Sequence, residues 1–273
     1  MIRAAMDATD AREALVALAA GDGDVAEAAL WLAVEDHPEL DPRPWLERID
    51  TLAGELRSRC GINGCSPSDA PLVASLLHDR LRLHGAGGGD PKAHYLHSVL
   101  QSGAGMPITC AAIWIAVGRR AAIPIEGVNT PGHFLVRVGD TLFDALDGGE
   151  PLDEDATRHL VEHATGSRVD SLEPAWLRRA DTRSILVRMS HNLRGCYTAL
   201  ERWDAALRAA DRCVALRPDD PGERRDRGLL LWRCGDARRA LCDLRFYLEH
   251  SGDGASDRDP INEVAGRLRA FLN

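Results

Sequence analysis

Apolar residues recur every three or four positions through the first hundred residues, the period of an amphipathic helix. In "DPRPWLERIDTLAGEL", Trp45, Ile49, Leu52 and Leu56 line one face, with Asp41 as the expected N-cap and Pro42 at the first helical position. "DARE" (from Asp10), "DVAE" (from Asp24) and "SPSDAPLVASLLHDRLRL" (from Ser66) open further helices with an acid or serine cap. "DPKAHYLHSVL" restarts a helix at Asp90 after the loop "GAGGGD". That loop lacks the Gly-Lys-Ser/Thr of a phosphate-binding loop.

The period breaks at Gly105. "PITCAAIWIAVGRRA" is apolar on nearly every side from Pro107 to Val117, which predicts a helix buried in the middle of a domain. Short extended runs follow: "IPIEGV", "HFLVRV" and "TLFDAL". Gly139-Asp140 between the last two reads as a two-residue hairpin turn. Asp153 to His163 predicts a helix, and residues 167–180 read as a linker.

From residue 181 the helical period returns with a repeat. Shifted by 34 residues, "ERWDAAL" (from Glu201) overlays "GDARRAL" (from Gly235), so Ala206 falls on Ala240 and Leu207 on Leu241. Leu193, Tyr197, Ala206 and Pro218 hold the large, aromatic, small and proline places of a tetratricopeptide unit, and Gly228 and Ala240 the small places of a second. Small residues let paired helices approach, and proline ends the second helix. Two repeats and a final helix (Pro260 to Phe271) are too few for an independent solenoid, so they are expected to dock on the rest of the chain. The expected organisation is a helical segment 1–104, a core 105–166, the linker 167–180 and a repeat region 181–273.

Composition narrows the partners. With 45% hydrophobic and 27% charged residues, the chain is of globular type. Its net charge of −9 disfavours non-specific attraction to nucleic acid or an anionic membrane. The arginines between Arg217 and Arg245 interleave with acids such as Asp219, Asp220, Glu223 and Asp226, the pattern of a solvated helix face. "MIRAAMDATD" has no apolar signal segment, and no apolar run approaches the roughly 18 residues of a membrane span. Seven scattered cysteines predict reduced thiols and a cytoplasmic setting. Two weak metal readings, His94 with His97 and Cys60 with Cys65, each lack further ligands. No cofactor or metal is expected. Trp114 and Trp232 read as packing residues.

Three residues suggest chemistry. If Gly139-Asp140 is the turn, Val138 opposes Thr141 and Leu135 opposes Asp144. His133 then lies diagonal to Asp144 on one face, within reach of its carboxylate. An aspartate on one imidazole nitrogen leaves the other as a base. Cys110 sits in the first turns of the apolar helix, where the helix dipole favours a thiolate. A bland reading stands beside this one. Cys110 as a small core hydrophobe, His133 as a satisfied core histidine and Asp144 as a cap of the following "DGG" loop fit the same pattern.

At these residues the chain resembles the SirB-type, transglutaminase-like proteins that carry C-terminal tetratricopeptide repeats. The similarity runs through "AALWLAVEDHPELDPRPWLERIDTLA", "DPKAHYLHSVLQSGAGMPIT", "GVNTPGHFLVRVGDTLFDALDGGEPL", "NLRGCY" and "PDDPGERRDRGLLL". The resemblance implies an α+β, mainly α, fold: a helical N-terminal segment, a papain/transglutaminase-like core with a small antiparallel sheet, and C-terminal repeat helices. In catalytic relatives a cysteine is the nucleophile, a histidine the base and an aspartate its orienting group. His133 and Asp144 match two of those positions. By the same register the cysteine would fall near Pro107, and Cys110 comes one turn later. The implied activity is acyl transfer or hydrolysis of an amide or thioester, with a peptide, protein or acyl-thioester substrate. The rival expectation is a scaffold or regulatory protein that binds a partner through its repeats.

Overall fold

The computed structural model describes residues 7–273 apart from 63, 147 and 253. The N-terminal stretch 1–6, part of the segment read as lacking a signal, lies outside them. By its internal contacts the chain forms two compact units, one through Met189 and one from Ser190 onward.

In the first unit, α1 (Ala8–Ala20), α2 (Val25–Asp36), α3 (Arg43–Cys60), α4 (Ala70–Leu81) and α5 (Leu96–Ser102) precede the central helix α6 (Pro107–Arg120). Capping sets several starts. Asp24 accepts from the Ala26 and Glu27 amides as expected, whereas α1 begins at Ala8, two residues before "DARE", capped by Asp7. Asp90 caps only a short 3₁₀ turn, Pro91–His94, because Tyr95 is extended and delays α5 to Leu96.

Ten residues of α6 are buried, from Ile108 to Gly118. The helix is apolar all round because α2, α3, α4, α5 and the sheet all pack on it. That sheet has five short antiparallel strands in the order β6-β5-β4-β3-β7. They are β3 (Ile125–Val128), β4 (Leu135–Val138), β5 (Thr141–Phe143), β6 (Pro151–Leu152) and β7 (Arg179–Ala180); the first two strands, β1 (His84–Gly85) and β2 (Ala104–Gly105), form a separate parallel pair. The hairpin register is Val138 to Thr141, and Gly139 takes φ 60°, the left-handed value a tight turn of this kind requires. Helix α7 (Glu154–Thr165) follows, capped by Asp153.

Two sequence readings need correction here. Residues 167–180, expected as a linker, end in β7, which pairs with β3 at the sheet edge; a two-residue strand carries no periodicity to reveal it. Cys60 and Cys65, expected as thiols, are joined in a disulfide. The chain reverses just after α3, at Gly61, and brings their Cα atoms to 5.1 Å.

Helix α8 (Thr182–Ala199) crosses the division between the units. The second unit continues with α9 (Trp203–Leu216), α10 (Pro221–Arg233), α11 (Ala237–His250) and α12 (Arg258–Leu272). The small residues of the repeat are in the interior: Ala206 and Ala240 are fully buried, and a methyl group on Gly228 would stand 2.8 Å from the Leu244 side chain. Pro218 follows the end of α9 at Leu216. Trp114 is core, but Trp232, expected to pack, is 39% exposed. Among the described residues no helix is long and apolar enough to cross a membrane.

Candidate functional site

His133 and Asp144 lie just beyond paired ends of one hairpin. His133 comes two residues before β4 and Asp144 directly after β5. The register therefore sets them diagonally, and His133 Nε2 lies 3.1 Å from Asp144 Oδ2. Both are partly exposed, with 14% and 22% of their side-chain surface in solvent.

Local hydrogen bonds position each partner. The Thr130 hydroxyl, fully buried, donates to the His133 carbonyl at 3.0 Å. Gly132 packs against Ala164 of α7, so closely that a methyl group there would stand 2.7 Å from the alanine Cβ. Asp144 Oδ1 accepts from the Leu146 amide at 3.1 Å, which leaves Oδ2 for the imidazole. An aspartate accepting at Nε2 selects the tautomer with its proton there, so Nδ1 is the nitrogen for any proton transfer. Nothing in the sequence pattern singles out Thr130, although "NTPGH" places a hydroxyl three residues before the histidine.

Cys110 has a different setting. Pro107 occupies the first position of α6, and Cys110 lies one turn further in. It is fully buried. A methyl group on Gly105 would stand 2.9 Å from its sulfur and 2.8 Å from a Val99 methyl. The sulfur therefore lies in the layer between α6, the Gly105 backbone and α5.

A hollow of about 220 Å³ in the same unit is lined by Asp22, Arg119, Glu126, Arg179 and Thr182. It belongs to an ion-paired corner and does not include His133 or Cys110. There Asp22 accepts from the Thr182 amide and hydroxyl and pairs with Arg179, whose hydrogen bond holds the carboxyl below its ordinary range.

Residues 43–191 match the family model of the transglutaminase-like superfamily, and residues 193–273 match a tetratricopeptide-repeat model. The chain belongs to the transglutaminase-like superfamily. It is similar to a UPF0162 protein of Xylella fastidiosa strain Temecula1, 37% identical over 229 residues, or 81% of this chain and 82% of the relative. A UPF0162 protein of Pseudomonas aeruginosa is 33% identical over 202 residues, covering 70% of this chain and 72% of the relative. Protein SirB1 of Salmonella typhimurium is 27% identical over 193 residues, covering 66% and 65%. No solved structure matches the chain. The SirB-type resemblance read from the motifs thus agrees with the family and with its relatives, and the mainly helical α+β fold agrees with the transglutaminase-like core.

The transglutaminase-like core so offers two distinct chemical elements. One is a formed, partly exposed imidazole–carboxylate pair. The other is a thiol packed in the interior. A partly exposed imidazole with a fixed tautomer can hydrogen-bond a carbonyl or an amide, or move a proton. A sulfur closed off from solvent attacks nothing until the layer around it opens.

Proposed function

We propose that this transglutaminase-like protein is a binding protein rather than a cysteine acyltransferase. In this reading the His133–Asp144 pair recognises a polar group of a bound polypeptide, and the repeat unit takes a protein partner of its own. The observation that carries it is the burial of Cys110, one turn into α6, where a methyl group on Gly105 would meet both its sulfur and Val99. By the register of catalytic relatives the nucleophile falls near Pro107, and proline has no nucleophilic side chain. Tetratricopeptide repeats support protein–protein interaction, and the second unit has an open groove of about 480 Å³ bordered by His191, Arg194, Thr198, Asp226 and Leu230.

A second reading is carried by the His133–Asp144 bond. In it the layer around Cys110 opens, the thiol passes its proton to His133 Nδ1, and the sulfur attacks an amide or thioester carbonyl. The leaving group then takes that proton, and water or an amine releases the acyl group.

The rate of Cys110 alkylation by iodoacetamide against pH, followed by mass spectrometry in wild type and His133→Ala, separates the two. For a binding protein, Cys110 labels only on denaturation, with no difference between the variants. Rapid labelling at pH 6 that His133→Ala abolishes would overturn the first reading in favour of the second.

A further inference from the structure

Three helices of the repeat unit converge on a group that the His133–Asp144 site does not use. His191 comes from α8, Cys213 from α9 and Glu223 from the first turn of α10. One imidazole nitrogen, the sulfur and one carboxylate oxygen all lie within 4.8 Å of one another. His191 Nε2 is 2.7 Å from Glu223 Oε1. Cys213 is fully buried and Glu223 is 4% exposed, but a third of the His191 side chain faces solvent. His191 also borders the open groove, which gives a solute a path to the group.

We propose that His191, Cys213 and Glu223 form a site for a divalent, thiophilic transition ion of the zinc class. Nitrogen, sulfur and oxygen ligands at bond lengths of about 2.0–2.3 Å surround such an ion tetrahedrally, which puts neighbouring ligand atoms roughly 3.5 Å apart. The three atoms are already within that range of adjustment: the imidazole and carboxylate move apart by under an ångström, and the sulfur closes in. Solvent supplies the fourth ligand, by way of the groove that His191 borders. On binding, the sulfur, the His191 nitrogen and the Glu223 oxygen each replace a metal-bound water; the thiol proton goes to solvent, and the His191–Glu223 hydrogen bond breaks as the imidazole proton moves to the other ring nitrogen. Thiolate and carboxylate together then balance the two positive charges of the ion. Arg194 lies 3.4 Å from Glu223 Oε2, on the oxygen that does not face His191, and is itself neutralised by Asp226 at 2.7 Å. Arg217 acts on the same carboxylate, so Glu223 shares its charge between these guanidinium groups and the ion. The alternative role for these residues is a buried ion pair with a packing thiol beside it, and the two make different spectra.

The test uses the full chain, stripped with a chelator and titrated with Co²⁺ as the probe. The expected result is one equivalent bound, with a near-ultraviolet thiolate-to-cobalt charge-transfer band and the visible bands of a four-coordinate ion. Cys213→Ser removes the charge-transfer band. Glu223→Gln, which keeps the side-chain shape, weakens binding by roughly tenfold or more. The double variant Cys234→Ser/Cys242→Ser retains the band, and circular dichroism confirms that each variant is folded. Absence of a charge-transfer band in the wild-type chain at millimolar Co²⁺, or a band that survives Cys213→Ser, would overturn the proposal.

Discussion

Gly105→Ala tests where the Cys110 sulfur lies. The new methyl group would stand 2.8 and 2.9 Å from the two Val99 methyls and 2.9 Å from the sulfur. Relaxed carbon contacts need about 3.5–4.0 Å, so both neighbours must give by most of an ångström. Val99 and Cys110 are both fully buried, and valine has little rotamer freedom on a helix, so the layer yields at a cost of about 1–3 kcal/mol. Gly105 does not have positive φ, so alanine fits its backbone and recovers about 0.5 kcal/mol through the unfolded chain. The net expectation is a loss of about 2 kcal/mol. Cys110→Ala alone loses about 1 kcal/mol by removing a small buried group. Together the two changes lose less than their sum, by about 1 kcal/mol, because removing the sulfur frees half the space the new methyl needs. Urea unfolding of the four proteins, followed by circular dichroism, measures this coupling. Additivity within about 0.3 kcal/mol would refute the reasoning: the sulfur would then point elsewhere, and the case for Cys110 as a packing residue would fall with it.

Two further outcomes are expected from the first unit. His97 on α5 packs among Trp45, His37 and Tyr95, and burial, reinforced by the neighbouring His37, lowers its pKa from 6.5 to about 4 against the opposing charge of Glu39. Between those values the unfolded chain binds the proton more readily than the folded one, so stability falls as pH drops from 6.5 towards 4 and is unaffected above that window. Allowing for solvent at the partly exposed ring, the contribution is at most about 2 kcal/mol. His97→Phe removes this slope from a series of melts against pH; an unchanged slope would exclude the assignment. Asp22 holds Thr182 and Arg179 from a left-handed backbone, φ 49°. Asp22→Ala is expected to lose about 2–3 kcal/mol and Asp22→Asn, which tolerates that backbone, about half as much. Equal losses in thermal melts would show that neither the acceptor that asparagine keeps nor its tolerance of that backbone contributes.

Much of this protein follows from local pattern. Alternation and a Gly-Asp turn set the hairpin register, and because side chains on a strand repeat every two residues, that register alone places His133 diagonal to Asp144. The all-round apolar character of Pro107 to Val117 marks the central helix, and the 34-residue recurrence of Ala206 and Ala240 marks the repeats. These signals depend on residues close in the chain, where backbone geometry permits few arrangements. Features made by distant segments left no such trace. The burial of Cys110 depends on Gly105 and Val99 closing over one side of α6, and a thiol near a helix start has the same sequence whether it faces solvent or core. β7 is a strand because β3 offers it an edge some fifty residues away in the chain. His191, Cys213 and Glu223 lie on three helices whose packing alone decides that their side chains meet. Local periodicity specifies which face of an element is apolar; which partner covers that face, and which polar atoms are enclosed with it, is settled when the elements pack.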